Sequence, residues 1–168
     1  SDRGNLIAYG NPFEEEVVLV DTNRKQELNV NFQSAEEKTY NALCIGVKDY
    51  FYKTGHKEAV IGLSGGIDSA LVAAIATEAL GRDKVHGVSL PSKYSSDHSL
   101  KDAEDLTSTL GISYEVIPIQ ACVDEMEQTL KPCFSGHSPN VAEENIQARI
   151  RGDILMALSN KFGWMVLS

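Results

Sequence analysis

Residues 60–69, with the sequence VIGLSGGIDS, constrain the fold most, because they join an apolar strand to a helix through a Ser-Gly-Gly turn. Gly65 and Gly66 lack a Cβ, so the chain can take a positive φ there and approach a ligand closely. The first N–H groups of the following helix have no intrahelical partners and favour an anion. Ser64 and Ser69 add hydroxyl donors. The turn is therefore predicted to hold a pyrophosphate group.

Asp68 lies in the first turn of the same helix and restricts how an anion can bind there. Two negative groups so close together need a divalent metal between them, which is a usual role of Mg²⁺ at phosphates. A glycine pair alone often only turns the chain, but the flanking serines and Asp68 favour a phosphate site. The sequence contains neither the Gly-x-x-x-x-Gly-Lys-Ser/Thr motif of the P-loop nor the Gly-x-Gly-x-x-Gly motif of dinucleotide-binding turns.

Strand and helix patterns alternate after residue 60, and this order predicts an α/β fold. The predicted strands are 60–63, 85–90, 113–119 and a last one from Trp164, and the predicted helices are 34–54, 67–80, 97–110, 123–130 and 141–162. Such an order favours an open, mostly parallel, twisted sheet with helices on both faces and right-handed crossovers. Ligands bind these sheets beyond the carboxyl ends of the strands, where crossovers diverge.

The first predicted helix carries clear end signals. Ser34, with a glutamate three residues later, fits a capping box, and Gly55 is the expected stop. The spacing of Leu43, Val47 and Phe51 places them on one face, which is predicted to be buried.

The loop at 90–96, LPSKYSS, follows the second predicted strand and lies at the same sheet edge as the Ser-Gly-Gly turn. The main chain of residues 88–90 is predicted to contact an adenine edge. Lys93 and the serines are predicted to cover the phosphates and exclude water, which protects a reactive intermediate. The alternative is an ordinary surface connection.

The long helix near the end of the chain brings Asn145 and Arg149 to one face, because they are four residues apart. An amide and a planar guanidinium in that arrangement can clamp one ligand. The alternative is a solvated face with ion pairs, which would join Glu144 to Arg151 and Arg149 to Asp153.

Composition limits the class of partner and the compartment. The 24 acidic residues exceed the 15 basic ones, and the formal net charge of −9 argues against broad contact with nucleic acid. Cys44, Cys122 and Cys133 lack the spacing of a zinc or redox motif, which predicts free thiols in a reducing compartment. No stretch is apolar enough to cross a bilayer and no signal-peptide pattern is present, so we expect a cytoplasmic protein without membrane contact.

Four motifs occur in order, namely IGLSGGIDSA at 61–70, LPSKYSS at 90–96, Asp102-Ala103, and ENIQAR at 144–149. Together they resemble NAD⁺ synthetase, in particular the synthetase domain of the long glutamine-dependent form. The resemblance implies the adenine nucleotide alpha hydrolase-like fold of the PP-loop ATP pyrophosphatases. It covers more than half of the chain.

The same resemblance implies a domain organisation. Residues 1–31, with strand candidates at 6–8 and 17–20, resemble the trailing end of a nitrilase-like glutaminase domain and its linker. Residues 32–168 resemble the N-terminal part of the synthetase domain. We therefore expect a piece of a longer polypeptide, truncated at its C-terminus and homo-oligomeric when complete.

The resemblance also implies roles for individual residues. Asp68 would hold Mg²⁺ and act in catalysis with Lys93, and Asn145 and Arg149 would bind deamido-NAD⁺, the nicotinic acid form of the dinucleotide. The residues implied to bind ATP are Gly62, Leu63, Ser64, Gly65, Gly66, Ile67, Asp68, Ser69 and Leu90.

The activity implied by the resemblance is that of a ligase that forms a carbon–nitrogen bond. ATP would activate deamido-NAD⁺ as an acyl-adenylate with release of pyrophosphate, and ammonia, supplied from glutamine, would then displace AMP and give NAD⁺. Two alternatives stay open from the residues. One is another PP-loop amidotransferase such as a GMP synthetase, and the other is a non-catalytic ATP-binding module.

Overall fold

The structure is a computed structural model that describes residues 3–23, 28–93 and 95–168, with only the backbone of Asp97. The chain forms two compact units, Ser1–Gly46 and Val47–Ser168. Each unit is described by itself below.

The first unit contains an irregular segment ahead of its helical part. The strands predicted at 6–8 and 17–20 are wrong, because neither segment pairs in a sheet. The backbone N–H of Leu28 donates to the carbonyl of Leu6 at 2.8 Å, and Val17 and Leu19 are more than nine-tenths exposed. Strand propensity reflects packing on neighbouring strands, and these segments have no neighbouring strand in the part of the chain that the structure describes.

The helix α1, Ala35–Thr54, begins and ends where the sequence signals lie. The hydroxyl of Ser34 accepts a hydrogen bond from the N–H of Glu37 at 3.1 Å, which confirms the predicted N-cap. Gly55 follows the helix with a φ of +77°, a conformation that glycine adopts without strain.

The buried stripe of α1 differs from the predicted one. Phe51 is buried and Val47 is partly buried, as predicted, but the side chain of Leu43 is 48% exposed. Cys44 is buried in its place. Cys44 and Phe51 are seven residues apart, which is close to two helical turns, so they share a face that Leu43 lies beside.

Four parallel strands form the sheet of the second unit, in the order β3-β2-β1-β4. This confirms the predicted parallel sheet. The second and third strands end earlier than predicted, although single backbone hydrogen bonds, from Ile117 to Ser89 and from Ile119 to Pro91, continue beyond them. The strands are β1 (Ala59–Gly62), β2 (Val85–Ser89), β3 (Ser113–Val116) and β4 (Met165–Leu167).

Helices cover both faces of this sheet, as predicted. The helices are α2 (Ile67–Leu80), α3 (Asp97–Leu110), α4 (Gln120–Leu130) and α5 (Val141–Phe162). Ile61 and Val85 pack with residues of α2 and α3 in one core cluster, whereas Val60 and Val88 pack with residues of α4 and α5 in another. No helix in the part of the chain that the structure describes is long and apolar enough to span a membrane.

The strand order reverses next to β1. The chain runs from β1 to β2 and then β3 on one side, and α5 then carries it back to β4 on the other side of β1. In open parallel sheets the crevice beyond the carboxyl ends of the strands at such a reversal is the usual ligand site. The turn at 64–69 leaves β1 at this point.

Candidate functional site

The turn after β1 is held against the neighbouring strand. The N–H of Leu63 donates to the carbonyl of Val88 at 2.8 Å, so pairing with β2 continues one residue past β1. Gly65 then adopts a φ of +77°, and Gly66 is extended and immediately precedes α2. Gly65 therefore has the positive φ that was predicted, whereas Gly66 does not take one and is in a conformation that other residues also adopt.

The hydroxyls of Ser64 and Ser69 tie this turn to itself. The Oγ of Ser69 donates to the carbonyl of Gly66 at 2.9 Å and accepts from the N–H of Ser64 at 3.4 Å. The Oγ of Ser64 accepts from the N–H of Gly66 at 3.2 Å and lies 3.3 Å from the Oγ of Ser69. The serines therefore preorganise the backbone of the turn in addition to any direct contact with a ligand.

The start of α2 differs from the starts of two other helices of the sheet. The side chains of Ser96 and Asn140 accept hydrogen bonds from the first turns of α3 and α5. Gly66 supplies no side-chain cap to α2. The orphan N–H donors and the positive end of the α2 dipole are therefore available to an anion.

Gly65 also brings the turn into close contact with α3. A Cβ at this position would lie 2.6 Å from the carbonyl oxygen and 2.7 Å from the Cα of Ser99. Only a glycine allows the two segments to approach so closely. The turn after β1 and the first turn of α3 therefore form one compact edge of the site.

A cavity of about 490 Å³ opens beside this edge, beyond the carboxyl ends of β1 and β2. Its lining mixes apolar side chains with hydroxyls and main chain, as small-molecule sites usually do. The lining residues are Gly62, Leu63, Ser64, Val88, Ser89, Leu90, Pro91, Ser95, Ser96, Ser99, Leu100, Arg151 and Leu155.

The main chain predicted to contact adenine lies in this lining. The carbonyls of these three residues already accept hydrogen bonds within the protein. The carbonyl of Val88 accepts from the N–H of Leu63, and that of Ser89 accepts from the N–H of Ile117. The carbonyl of Leu90 accepts from the side chain of Arg151 in α5. The Leu90 side chain is buried in the core. Leu90 therefore belongs both to the lining of the cavity and to the core.

The loop of residues 90–96 closes one side of the cavity in part. Ser95 and Ser96 line it. The side chain of Lys93 is exposed, and the Lys93 N–H donates to the Oε1 of Gln120 at 2.8 Å. Lys93 is not among the lining residues of the cavity, and Tyr94 of the predicted lid lies outside the described residues.

The helix α5 presents a different face to the cavity from the one that the sequence singled out. Asn145 and Arg149 are both exposed and line neither this cavity nor the depression described next. Gln147 is buried, and Arg151 and Leu155 line the cavity. Residues 147, 151 and 155 follow one another at intervals of four, and this spacing was the signal in the sequence that they share the face of α5 toward the cavity.

A second depression of about 450 Å³ lies on the other side of the turn, between α2 and α3. Gly65, Gly66 and Ser69 contribute to it, together with the acidic residues Asp102 and Asp105. The turn therefore separates a largely apolar cavity with one basic side chain from an acidic depression.

Asp68 is exposed in the first turn of α2. Among the described residues no group of three or more His, Cys, Asp or Glu side chains could hold a metal. Mg²⁺ binds through one or two carboxylates plus phosphate oxygens and waters, so a single carboxylate beside the predicted pyrophosphate turn fits this ion. Asp68 is therefore chemically suited to a metal that arrives with a nucleotide.

Comparison with known proteins agrees with this geometry. The family model described as NAD synthase matches residues 39–168, which include the whole sheet, the turn and the cavity. The chain belongs to the NAD synthase family. The predicted relationship, and with it the PP-loop type of α/β fold, is confirmed.

Individual members of the NAD synthase family resemble the chain along most of its length. The glutamine-dependent NAD(+) synthetase of Thermotoga maritima is 42% identical over 98% of this chain, which spans 35% of that protein. A structure of the glutamine-dependent NAD+ synthetase of Acinetobacter baumannii in complex with ADP superposes with a TM-score of 0.82 and 39% identity, over 84% of this chain and 27% of that one.

A third relative carries a different name. The NMN synthetase of Francisella tularensis superposes with a TM-score of 0.72 and 27% identity, over 80% of this chain and 54% of that one. The chain thus spans about a third of the length of the Thermotoga relative and about half of this shorter one.

Proposed function

We propose that the protein carrying this chain is a ligase that amidates deamido-NAD⁺ to NAD⁺ at the expense of ATP, with ammonia derived from glutamine. The observation that carries the proposal is the NAD synthase match over residues 39–168, which includes the uncapped turn at 64–69 and the cavity beside it. The glutamine-dependent names of the relatives support the source of nitrogen.

In the first step the nicotinate carboxylate attacks the α-phosphorus of ATP. The bond from the α-phosphorus to the bridging oxygen breaks, and pyrophosphate leaves with both electrons of that bond. The N–H donors at the start of α2 stabilise the charge that develops on the leaving group. Ser64 and Ser69 already bond to the backbone of the turn, so the turn is preorganised and little reorganisation is needed when ATP binds.

In the second step ammonia attacks the acyl carbon of the adenylate. The carbon–oxygen bond to AMP breaks, AMP leaves as a stable anion, and the attacking nitrogen loses a proton to give the amide. A free carboxylate would have to expel oxide, which explains why ATP is consumed. Exclusion of water from the cavity protects the adenylate from hydrolysis.

Four side chains have proposed roles in this reaction. Asp68 would hold Mg²⁺, which when bound neutralises charge on the phosphates. Lys93 would place its ammonium over the phosphates when its loop closes. Asn145 and Arg149 share an exposed face of α5 and would bind deamido-NAD⁺ outside the ATP cavity.

The rest of the protein is proposed from the same relationship. Residues 1–31 would belong to the end and linker of a nitrilase-like glutaminase domain, and residues 32–168 to the first part of the synthetase domain. We further propose a cytoplasmic homo-oligomer that contacts neither nucleic acid nor membrane, in keeping with the net charge of −9.

The choice of acceptor separates this proposal from its rivals. The assay uses the full-length protein with ATP, Mg²⁺ and either glutamine or ammonia. Three acceptors are tested separately, namely deamido-NAD⁺, nicotinic acid mononucleotide and xanthosine monophosphate. We expect NAD⁺, AMP and pyrophosphate in equal amounts with deamido-NAD⁺ alone. Turnover of nicotinic acid mononucleotide would indicate an activity like that named for the Francisella relative. Turnover of xanthosine monophosphate would indicate a GMP synthetase. Binding of ATP without formation of AMP would indicate a non-catalytic module.

A further inference from the structure

Arg151 occupies a position at the cavity that the sequence motifs did not assign to a ligand. Its Nε donates to the carbonyl of Leu90 at 3.0 Å, and its Nη2 donates to the Oγ of Ser92 at 3.5 Å. The side chain is partly buried and lines the cavity together with Gly62 and Ser64. A guanidinium has five N–H groups, so these two bonds do not exhaust its donors.

The charge of Arg151 is balanced by no carboxylate among the described side chains. The ion pairs in that part of the chain join Lys53 to Asp49, Arg82 to Asp83, and His86 to Glu58. The two groups that accept from Arg151, a carbonyl and a hydroxyl, are both neutral. A partly buried positive charge with neutral partners is poorly compensated, so an anion that enters the cavity gains a favourable contact.

Arg151 is also the only charged residue among the described residues that line the cavity. Val88, Leu100 and Leu155 supply an apolar surface that suits a nucleoside base, and the turn at 64–69 lies at one edge. After pyrophosphate has left from the turn at 64–69, the anionic group that remains in the cavity is the phosphate of AMP or of the adenylate. A positive charge that stays in the cavity suits that group.

We propose that Arg151 binds the α-phosphate of the nucleotide, the phosphate that ATP, the acyl-adenylate and AMP share. This inference rests on the proposed function, because it takes the cavity as the nucleotide site. Arg151 then stabilises negative charge at the phosphorus atom that is attacked, and the turn at 64–69 stabilises negative charge on the pyrophosphate that leaves.

Arg151 also fixes the loop that closes the cavity, and the test has to separate the two effects. The Oγ of Ser92 donates to the Oε1 of Gln147 at 2.9 Å, so Leu90 and Ser92 are both tied to α5. Loss of this positioning would weaken every ligand of the cavity. Loss of a phosphate contact would weaken only ligands that carry the phosphate.

The test compares AMP with adenosine by isothermal titration of the full-length protein. Arg151→Gln removes the charge, and we expect AMP to bind at least about tenfold more weakly while adenosine stays within about twofold. Arg151→Lys keeps the charge and loses the planar fork, so a smaller loss for AMP is expected. Arg82→Gln is the matched control, since Arg82 lies outside the cavity lining, and it should change neither affinity.

Equal weakening of AMP and adenosine in Arg151→Gln would assign Arg151 to positioning alone and overturn the proposal. An unchanged affinity of Arg151→Gln for AMP would overturn the proposal too. The carboxylate of the acceptor would then be the anion that the guanidinium of Arg151 can bind. If Arg151→Gln does not fold, Arg151→Lys decides, because AMP must still weaken about threefold or more relative to adenosine. A wild-type protein that binds AMP but forms no NAD⁺ contradicts the proposed function and not the role of Arg151.

Discussion

Replacing Gly65 by alanine should damage the site more than the same change at any exposed helix end. The φ of +77° at Gly65 costs an alanine about 1–2 kcal/mol. The new Cβ would also lie 2.6 Å from the carbonyl oxygen of Ser99, so the turn and α3 must separate by about 0.8 Å to reach the ordinary contact distance of 3.4 Å. Overpacking of this kind costs about 1–3 kcal/mol more.

Gly163 provides a matched control in the same chain. Its φ is +75°, nearly that of Gly65, but a Cβ there meets nothing within 4 Å. Gly163→Ala therefore carries the backbone cost alone, about 1–2 kcal/mol, and no steric displacement. The difference between the two variants isolates the contact with Ser99.

Two assays on the full-length protein test this prediction. At about 3 °C per kcal/mol, thermal unfolding of the synthetase domain should shift by about 6–15 °C in Gly65→Ala and about 3–6 °C in Gly163→Ala. Because misplacement near 1 Å can cost about a hundredfold in rate, kcat/KM for ATP should fall about a hundredfold in the first variant and stay within about twofold in the second. Equal losses in both variants would refute the argument that the close approach of turn and α3 shapes the site.

Three further substitutions test other parts of the account. Asp68→Ala should lower pyrophosphate release about a hundredfold or more, because several kcal/mol of metal-assisted charge neutralisation is lost, and near-normal release would remove the metal role. Ser69→Ala should lower kcat/KM for ATP about tenfold through loss of the bond to Gly66, whereas an unchanged value would show that the turn needs no such support. Tyr114→Phe removes the 2.9 Å hydrogen bond to buried Ser89 and should lower the free energy of unfolding, measured by urea titration, by about 1 kcal/mol. The KM for ATP should not change, and a raised KM would instead link this bond to the cavity.

Local signals in the sequence were sufficient for most of the second unit. The helices α2, α3 and α5 have the predicted bounds, because Gly81, Gly111 and Gly163 take the positive φ values that end a helix. The parallel order followed from the alternation of strands and helices. The turn at 64–69 followed from its glycines, since few other residues tolerate its backbone path.

Features that depend on packing partners could not be predicted in the same way. The rotation of α5 about its axis is set by the sheet beneath it. The ENIQAR motif therefore predicted Arg149 at the site, whereas the packing turns Arg151 toward the cavity. The exposure of Leu43 beside buried Cys44 likewise does not follow from spacing along α1 alone. The two strand predictions at 6–8 and 17–20 failed because strand propensity needs a partner strand, and neither segment has one among the described residues.

The most direct test of the central claim is a crystal structure of the full-length protein with Mg²⁺ and the α,β-methylene analogue of ATP, which cannot be cleaved between its α and β phosphorus atoms. The account predicts the β- and γ-phosphates within about 3 Å of backbone nitrogens of residues 65–69, with the base in the cavity beside Leu155. Phosphates bound instead at the start of α3, beside Ser96 and Ser99, would contradict it.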